Sequence, residues 1–139
     1  MNTVYADILS PEKIFFSGEV EQLIFATPEG SMGIMAGYMP IIAAVADGIL
    51  EIDAAGERKI AAVGQGFCIV SENKASFYLD TVEWADEIDA VRAREALHRA
   101  ELRARSNLSQ VEMLRAQAAM SRALARLKAV EWGKAFTQQ

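Results

Sequence analysis

The sequence predicts an α+β chain, a small β-sandwich over residues 1–85 followed by an antiparallel two-helix hairpin over residues 86–139, and three observations carry that reading. Apolar residues follow a two-residue period up to about residue 85 and a period near 3.6 beyond Asp86. The short apolar runs of the first part are punctuated by Gly, Pro, Asp and Asn, the residues of turns. Charge divides at the same boundary: residues 1–85 carry twelve acidic and four basic side chains, and residues 86–139 carry seven acidic and ten basic ones.

Val4 to Leu9 alternates Val4, Ala6 and Ile8 against Tyr5, Asp7 and Leu9, as an edge strand does, and Ser10-Pro11-Glu12 breaks it. Ile14–Ser17 and Val20–Thr27 are expected as two strands separated by Ser17-Gly18, with Pro28-Glu29-Gly30 closing the second. The glycine-rich stretch GSMGIMAGYMP, Gly30 to Pro40, is too rich in glycine for a helix and is expected as a compact loop with short extended pieces. Its Met32, Ile34, Met35, Tyr38 and Met39 either cap the sandwich core or form an exposed contact patch. Ile41–Val45 reads as a buried strand, answered by Ile49–Ile52 across Asp47-Gly48. Ala54-Ala55-Gly56-Glu57 leads into Lys59–Val63, and Phe67–Val70 and Ala75–Leu79 are joined by Ser71-Glu72-Asn73-Lys74. Roughly eight to ten short strands spaced this way suit a sandwich or barrel rather than a βαβ fold.

In the tail, Asp86 is expected to N-cap a helix running to about Arg105, with Asp86, Glu87 and Asp89 at the positive end of its dipole. Ser106 to Ser109 is a short link, and Ser109 with Glu112 has the spacing of a capping box for a second helix. Ala90, Ala93, Leu97, Ala100 and Ala104 form a small-residue stripe on the first helix; Met113, Ala116, Met120, Leu124, Leu127 and Val130 form an apolar stripe on the second. Beside each runs a row of arginines, Arg92, Arg99 and Arg103 on one and Arg115, Arg122 and Arg126 on the other, roughly 110° from the apolar stripe. Antiparallel closure brings both rows to one face. Such a cluster fits a polyphosphate, because planar guanidinium groups bind phosphate oxygens bidentately. It equally fits a solvated face, with Glu95 and Arg99 pairing at i,i+4, or a contact with an acidic protein surface.

Composition narrows the function. The 139 residues, 52% of them hydrophobic, suffice for one core or a small core with an appendage. No apolar run reaches the ~20 residues of a membrane span, and MNTVYADIL lacks a signal-peptide pattern, so a soluble intracellular protein is expected. One cysteine, Cys68, and one histidine, His98, provide neither a disulfide nor a metal cluster, and both are expected to be packing or surface residues. Neither a GxxxxGK[ST] nor a GxGxxG pattern is present. Nucleic acid is disfavoured, since no aromatic residues interleave with the arginines. An enzyme is disfavoured by the lack of a nucleophile, base and orienting group; a free-standing protein-interaction adaptor without nucleotide binding is the stronger alternative.

The chain nevertheless resembles a known family along nearly its whole length. Gly33-Ile34 with Gly37 and Pro40, then Gly64 to Val70, then Ile88-Asp89-Ala90-Val91-Arg92-Ala93 are similar to segments of the epsilon subunit of bacterial F-type ATP synthases. The resemblance implies a non-catalytic central-stalk subunit whose sandwich binds the gamma subunit and the membrane rotor ring. Its hairpin would either fold on the sandwich or extend along gamma to the alpha/beta catalytic head and block ATP hydrolysis. It further implies ATP as a regulatory ligand of the closed hairpin, with or without Mg²⁺: adenine near Glu83, Ile88, Asp89 and Ala93, phosphates at Arg92, Arg99, Arg122 and Arg126. The implied location is peripheral, on the cytoplasmic face of the bacterial plasma membrane, without insertion into it. The implied rotor-facing residues are Ser31, Met32, Tyr38 and Met39. Here the chain departs from the family, which commonly has Glu-Leu-Gly at Ser31-Met32-Gly33 and Pro-Gly-His at Ala36-Gly37-Tyr38. It also has Gly-Gly where this chain has Gln65-Gly66.

Overall fold

The computed structural model describes residues 2–137 and contains two five-stranded sheets and a helical hairpin. The strands are β1 (Val4–Leu9), β2 (Ile14–Val20), β3 (Gln22–Thr27), β4 (Gly30–Met35), β5 (Ile41–Val45), β6 (Gly48–Ala54), β7 (Glu57–Val63), β8 (Gly66–Ser71), β9 (Lys74–Leu79) and β10 (Val82–Trp84). One sheet has the order β2-β1-β9-β8-β5 and the other β10-β7-β6-β3-β4. All pairings are antiparallel except β1 with β9, where Ala6 lies opposite Ala75 in parallel register.

Alternation along each strand sends one set of side chains between the sheets. Val4, Ala6 and Ile8 meet Leu23, Phe25, Ile34, Leu50, Ile52, Val63, Cys68 and Phe77 there. Phe25 and Phe77 contact edge to face, with centroids 5.1 Å apart, a favoured aromatic geometry. Burial pushes the Cys68 thiol up to about 12, so it holds its proton and acts as a small apolar side chain.

Several expectations for the sandwich are corrected. β1 is not an edge strand, since it lies between β2 and β9, and β5 is neither buried throughout nor paired with β6 across Asp47-Gly48: it is the edge strand beside β8 in the other sheet, with Ile42 exposed. Ser17-Gly18 does not interrupt a strand: Ser17 and Gly18 stand opposite Asp7 and Ala6, and Ser17 Oγ donates to Asp7 Oδ1 at 2.6 Å, so β2 continues to Val20 and the chain turns at Glu21. The first half of the glycine-rich stretch is the strand β4, because Gly33 takes an ordinary ladder position opposite Ile24 and pairing with β3 outweighs the low strand preference of glycine. Only Ala36 to Pro40 turns, held by Tyr38 N–H on the Met35 carbonyl and Gly37 N–H on Asn73 Oδ1. Alternation therefore divides the methionine series: Ile34 is buried and Met32 packs against the core, while Met35, Tyr38 and Met39 are exposed. Finally, β10 was not expected; its three residues pair with β7, placing Glu83 opposite Ala62 and Trp84 opposite Ala61.

A single 3-10 turn, Ala85–Glu87, leads to the helices α1 (Ala90–Ala104) and α2 (Gln110–Thr137). The expected cap is displaced by one such turn. Asp89, not Asp86, is the N-cap: its Oδ1 accepts from Arg92 N–H at 3.1 Å, while Asp86 falls in the 3-10 turn. The second cap is as expected, with Glu112 N–H donating to Ser109 Oγ and both Ser109 groups donating to Glu112 Oε1.

Candidate functional site

The hairpin is closed, and α2 is its middle layer, with the sandwich on one side and α1 on the other. The outer face of the second sheet presents Ile49 from β6 and Ile60 and Ala62 from β7. On these pack Ala85 and Ile88 of the connecting segment and Ala129 of α2. Ala62, Ala85 and Ala129 let helix and sheet approach closely; Gly133 serves the same end, since a Cβ there would lie 3.0 Å from the Ala85 Cβ. This two-sided role changes the expected apolar stripe of α2. The buried positions are Ala116, Ala123, Ala125 and Ala129, and Leu124 is exposed, because a middle layer buries two narrow alanine faces rather than one broad stripe. On α1 the fully covered seam positions are Ala93 and Ala100.

Where α2 passes β10, Glu83 meets the arginine row. Arg126 Nη2 donates to Glu83 Oε2 at 3.3 Å, and Arg126 Nε lies against Glu83 Oε1 at an angle outside hydrogen-bond geometry. This pair ties the hairpin to the sandwich. A partner for Arg126 was not expected from the tail alone, because Glu83 lies 43 residues earlier in the chain.

Beside the pair opens a cleft of about 240 Å³ bordered by Thr81, Glu83, Ala96, Ala119, Arg122 and Arg126, among others. The structure thus brings Glu83, Arg122 and Arg126 together at one opening. Arg92 and Arg99 are exposed on α1, one turn to either side of Ala96, so their row runs along the rim without itself lining the cleft. The other expected ligand residues have structural positions: Asp89 caps α1, Ile88 belongs to the docking cluster, and Ala93 is fully buried. Of the remaining arginines, Arg103 lies 3.6 Å from Glu112 across the interhelical link. The i,i+4 pair Glu95–Arg99 is not formed among the described residues. Among the described residues there is no group of three or more His, Cys, Asp or Glu side chains able to hold a metal ion.

On the sandwich, the expected partner-facing residues separate. Tyr38 and Met39 form an exposed turn tip, Met39 being 76% exposed. Ser31 is exposed on β4, and Met32 turns inward. One functional-looking residue gave no sequence signal: Glu51 is buried on the outer face of β6 beneath α2. A larger cleft, about 610 Å³, lies where the connecting segment meets the end of α2, with Arg58, Lys59, Trp84, Asp86, Glu87 and Lys134 on its walls.

Comparison with known proteins gives this architecture its family. Residues 3–85 match the model of the ATP synthase delta/epsilon chain β-sandwich domain, and residues 86–131 match that of the long α-helix domain of the same chains. The ATP synthase epsilon chain of Ruminiclostridium cellulolyticum is 42% identical over 93% of this chain and 96% of its own length. That of Caldicellulosiruptor bescii is 41% identical over 92% and 93%. Among solved structures, a chain of the Euglena gracilis mitochondrial ATP synthase superposes with a TM-score of 0.78 at 20% identity, covering 86% of this chain and 76% of that one. A chain of the Tetrahymena thermophila mitochondrial central stalk and c-ring gives 0.62 at 17% identity, covering 91% and 95%. With a sandwich, a hairpin and a boundary at residue 85 all matched, the chain belongs to the delta/epsilon family of ATP synthase subunits, as an epsilon-type, non-catalytic component of the central stalk.

Proposed function

We propose that this central-stalk subunit regulates ATP hydrolysis through its hairpin, and that ATP is the ligand favouring the closed form. The observation that supports the reading is the cleft between the helices, which Arg122 and Arg126 of α2 line opposite Ala96 of α1, a residue one turn from each of Arg92 and Arg99, which do not themselves line it. Phosphate oxygens held there would contact both helices at once, and an open hairpin would lose the set. The residues fit such a group, since guanidinium groups supply charge and paired N–H donors for phosphate, and the Glu83 carboxylate can accept from an adenine amino group. Bound ATP would supply no chemistry here beyond its charge and its hydrogen bonds.

The energetics support a switch. The docking cluster is compact: three isoleucines, Ile49, Ile60 and Ile88, with Ala62, Ala85, Ala129 and the half-buried Val130, at about 0.8 kcal/mol per buried CH₂. A ligand that binds only the closed form would shift the balance by its differential affinity. In the same reading, the sandwich binds the gamma subunit and the rotor ring, with the exposed Tyr38-Met39 tip toward the ring. A freed hairpin presents its basic helices to the alpha/beta head. The chain sits peripherally on the cytoplasmic face of the bacterial plasma membrane; no helix of the described residues is long and apolar enough to cross one.

Titration calorimetry of the isolated chain with ATP, with and without Mg²⁺, tests the ligand. Saturable binding is expected, weakened at least tenfold in Arg122→Ala and Arg126→Ala, since each charge-assisted contact contributes about 1.5–3 kcal/mol. No binding at millimolar ATP, or equal binding by both variants, refutes it. The regulatory role is tested in the assembled complex: cutting the chain after Glu87 should raise ATP hydrolysis, and an unchanged rate would oppose the reading.

A further inference from the structure

We propose that closing the hairpin takes up a proton at Glu51, the carboxylate that α2 covers on the outer face of the second sheet. Glu51 is 8% exposed and is the buried charged residue among those described. Alternation places it with Ile49, on the side of β6 facing α2 and away from the sandwich core. Its covering on that side comes from the hairpin, because the small cleft that it borders is lined on its other side by Ser121, Leu124, Ala125, Lys128 and Trp132 of α2. With α2 lifted away, an outer-face carboxylate on a sheet meets water. Its solvation therefore differs between the closed and open forms.

The charges around Glu51 compensate it only in part. From β7, Arg58 Nη1 approaches to 3.6 Å, beyond hydrogen-bond distance. The same guanidinium donates to both oxygens of Asp53, from Nε at 2.8 Å and from Nη2 at 3.2 Å. Two carboxylates thus share one guanidinium, and Asp53 itself opposes ionisation of Glu51. From α2 the only charged group bordering the cleft is Lys128, which also lies over the Trp132 ring at 5.4 Å. From β3 and β4 the cleft receives Ile24, Phe25, Ala26 and Ser31, none of them charged, and from the β5–β6 turn it receives a further carboxylate, Asp47, whose Oδ1 accepts from Gln65 N–H. Burial, the largest influence, holds the Glu51 pKa above its ordinary value against the opposing pull of Arg58.

The direction of the linkage follows. A carboxyl whose pKa is raised in the closed form binds its proton more tightly there than in the open form. Closure is therefore favoured as pH falls through that raised pKa and is disfavoured above it, by at most about tenfold per pH unit for one proton. The device rests on the opening and closing proposed above, but not on ATP.

The test places donor and acceptor dyes on the full-length chain at Asn107→Cys, in the interhelical link, and Glu12→Cys, in the β1–β2 turn. The buried thiol of Cys68 stays unlabelled. Energy transfer and the near-ultraviolet signal of the sandwich core are followed at the temperature where half the molecules are open at pH 8. As pH is lowered from 8 through the raised Glu51 pKa the closed fraction should rise, and Glu51→Gln should be more closed at pH 8 and lose this rise. A rise that persists unchanged in Glu51→Gln overturns the proposal, as does a closed fraction independent of pH. If energy transfer and the core signal change only together, the hairpin does not open on an intact sandwich, and the regulatory reading falls with it.

Discussion

Replacing Ile60 with alanine should separate docking of the hairpin from folding of the sandwich. Ile60 is 5% exposed and projects from the outer face of β7 into the cluster with Ile88 and Ala129, while its neighbours Ala61 and Val63 point into the core between the sheets. The substitution removes three carbons, which at about 0.8 kcal/mol each is roughly 2.4 kcal/mol before any cavity contribution. Those contacts are made largely to the hairpin and its connecting segment, so the loss falls on closure. A change of that size raises the open population about sixtyfold. Native-state hydrogen exchange reads it directly, because segments that open together lose protection together. Amides of α2 should lose protection by about sixtyfold, while those of β1 and β9, in the far sheet, keep theirs. Equal losses in β1 and β9 would show that sandwich and hairpin share one cooperative core; unchanged protection in α2 would show that the cluster does not hold the hairpin. Either result refutes the reasoning.

Three further outcomes follow from particular contacts. In a double-mutant cycle, Glu83→Gln and Arg126→Met should show a coupling of only about 0.5–1 kcal/mol in hairpin closure, because each side chain is 34% exposed and water screens the pair; a coupling near zero would remove it as a tie. Glu112 is held below its ordinary pKa by hydrogen bonds from Ser109, with a smaller contribution from Arg103. Its contribution to α2 is therefore present above the unfolded-state value of 4.5 and lost as pH falls through the lowered folded value. Helix content by circular dichroism should show an acid-side loss that Glu112→Gln reduces. Gly66→Ala should destabilise the sandwich by about 3 kcal/mol in a urea melt, since the added Cβ would lie 2.0 Å from the Tyr78 carbonyl oxygen and force β8 from β9; an unchanged midpoint would contradict that packing.

Most of the fold was legible because its determinants are local. Alternation and turn residues located every strand from β1 to β9 except β4, and the Ser109-Glu112 capping box located the start of α2. The misreadings fall where long-range pairing overrides local preference. Gly33 stays in a ladder because Ile24 stands opposite, Ser17-Gly18 stay in one because Asp7 and Ala6 do, and β10 exists only through β7. The cap at Asp89 was masked by two competing acids, of which Asp86 and Glu87 entered the 3-10 turn. For the site, the arginine rows could be read from helical spacing, and antiparallel closure followed from a short link. Arg126 pairing with Glu83, and Glu51 under α2, depend on how the hairpin lies on the sheet, which no spacing encodes.

The same layering explains why this hairpin suits a switch better than a broad apolar interface would. A helix that joined α1 and the sandwich through leucines on two faces would bury enough surface to make closure permanent, at about 1.5–3 kcal/mol for each buried side chain. Here α2 meets both neighbours mainly through alanines, leaves Leu124 exposed, and adds one partly solvated ion pair at Glu83 and one poorly compensated carboxylate at Glu51. One term at the interface, the covered Glu51 carboxylate, opposes closure. Under the switch proposed above, one proton or one bound anion would bias the two forms by its differential affinity for them.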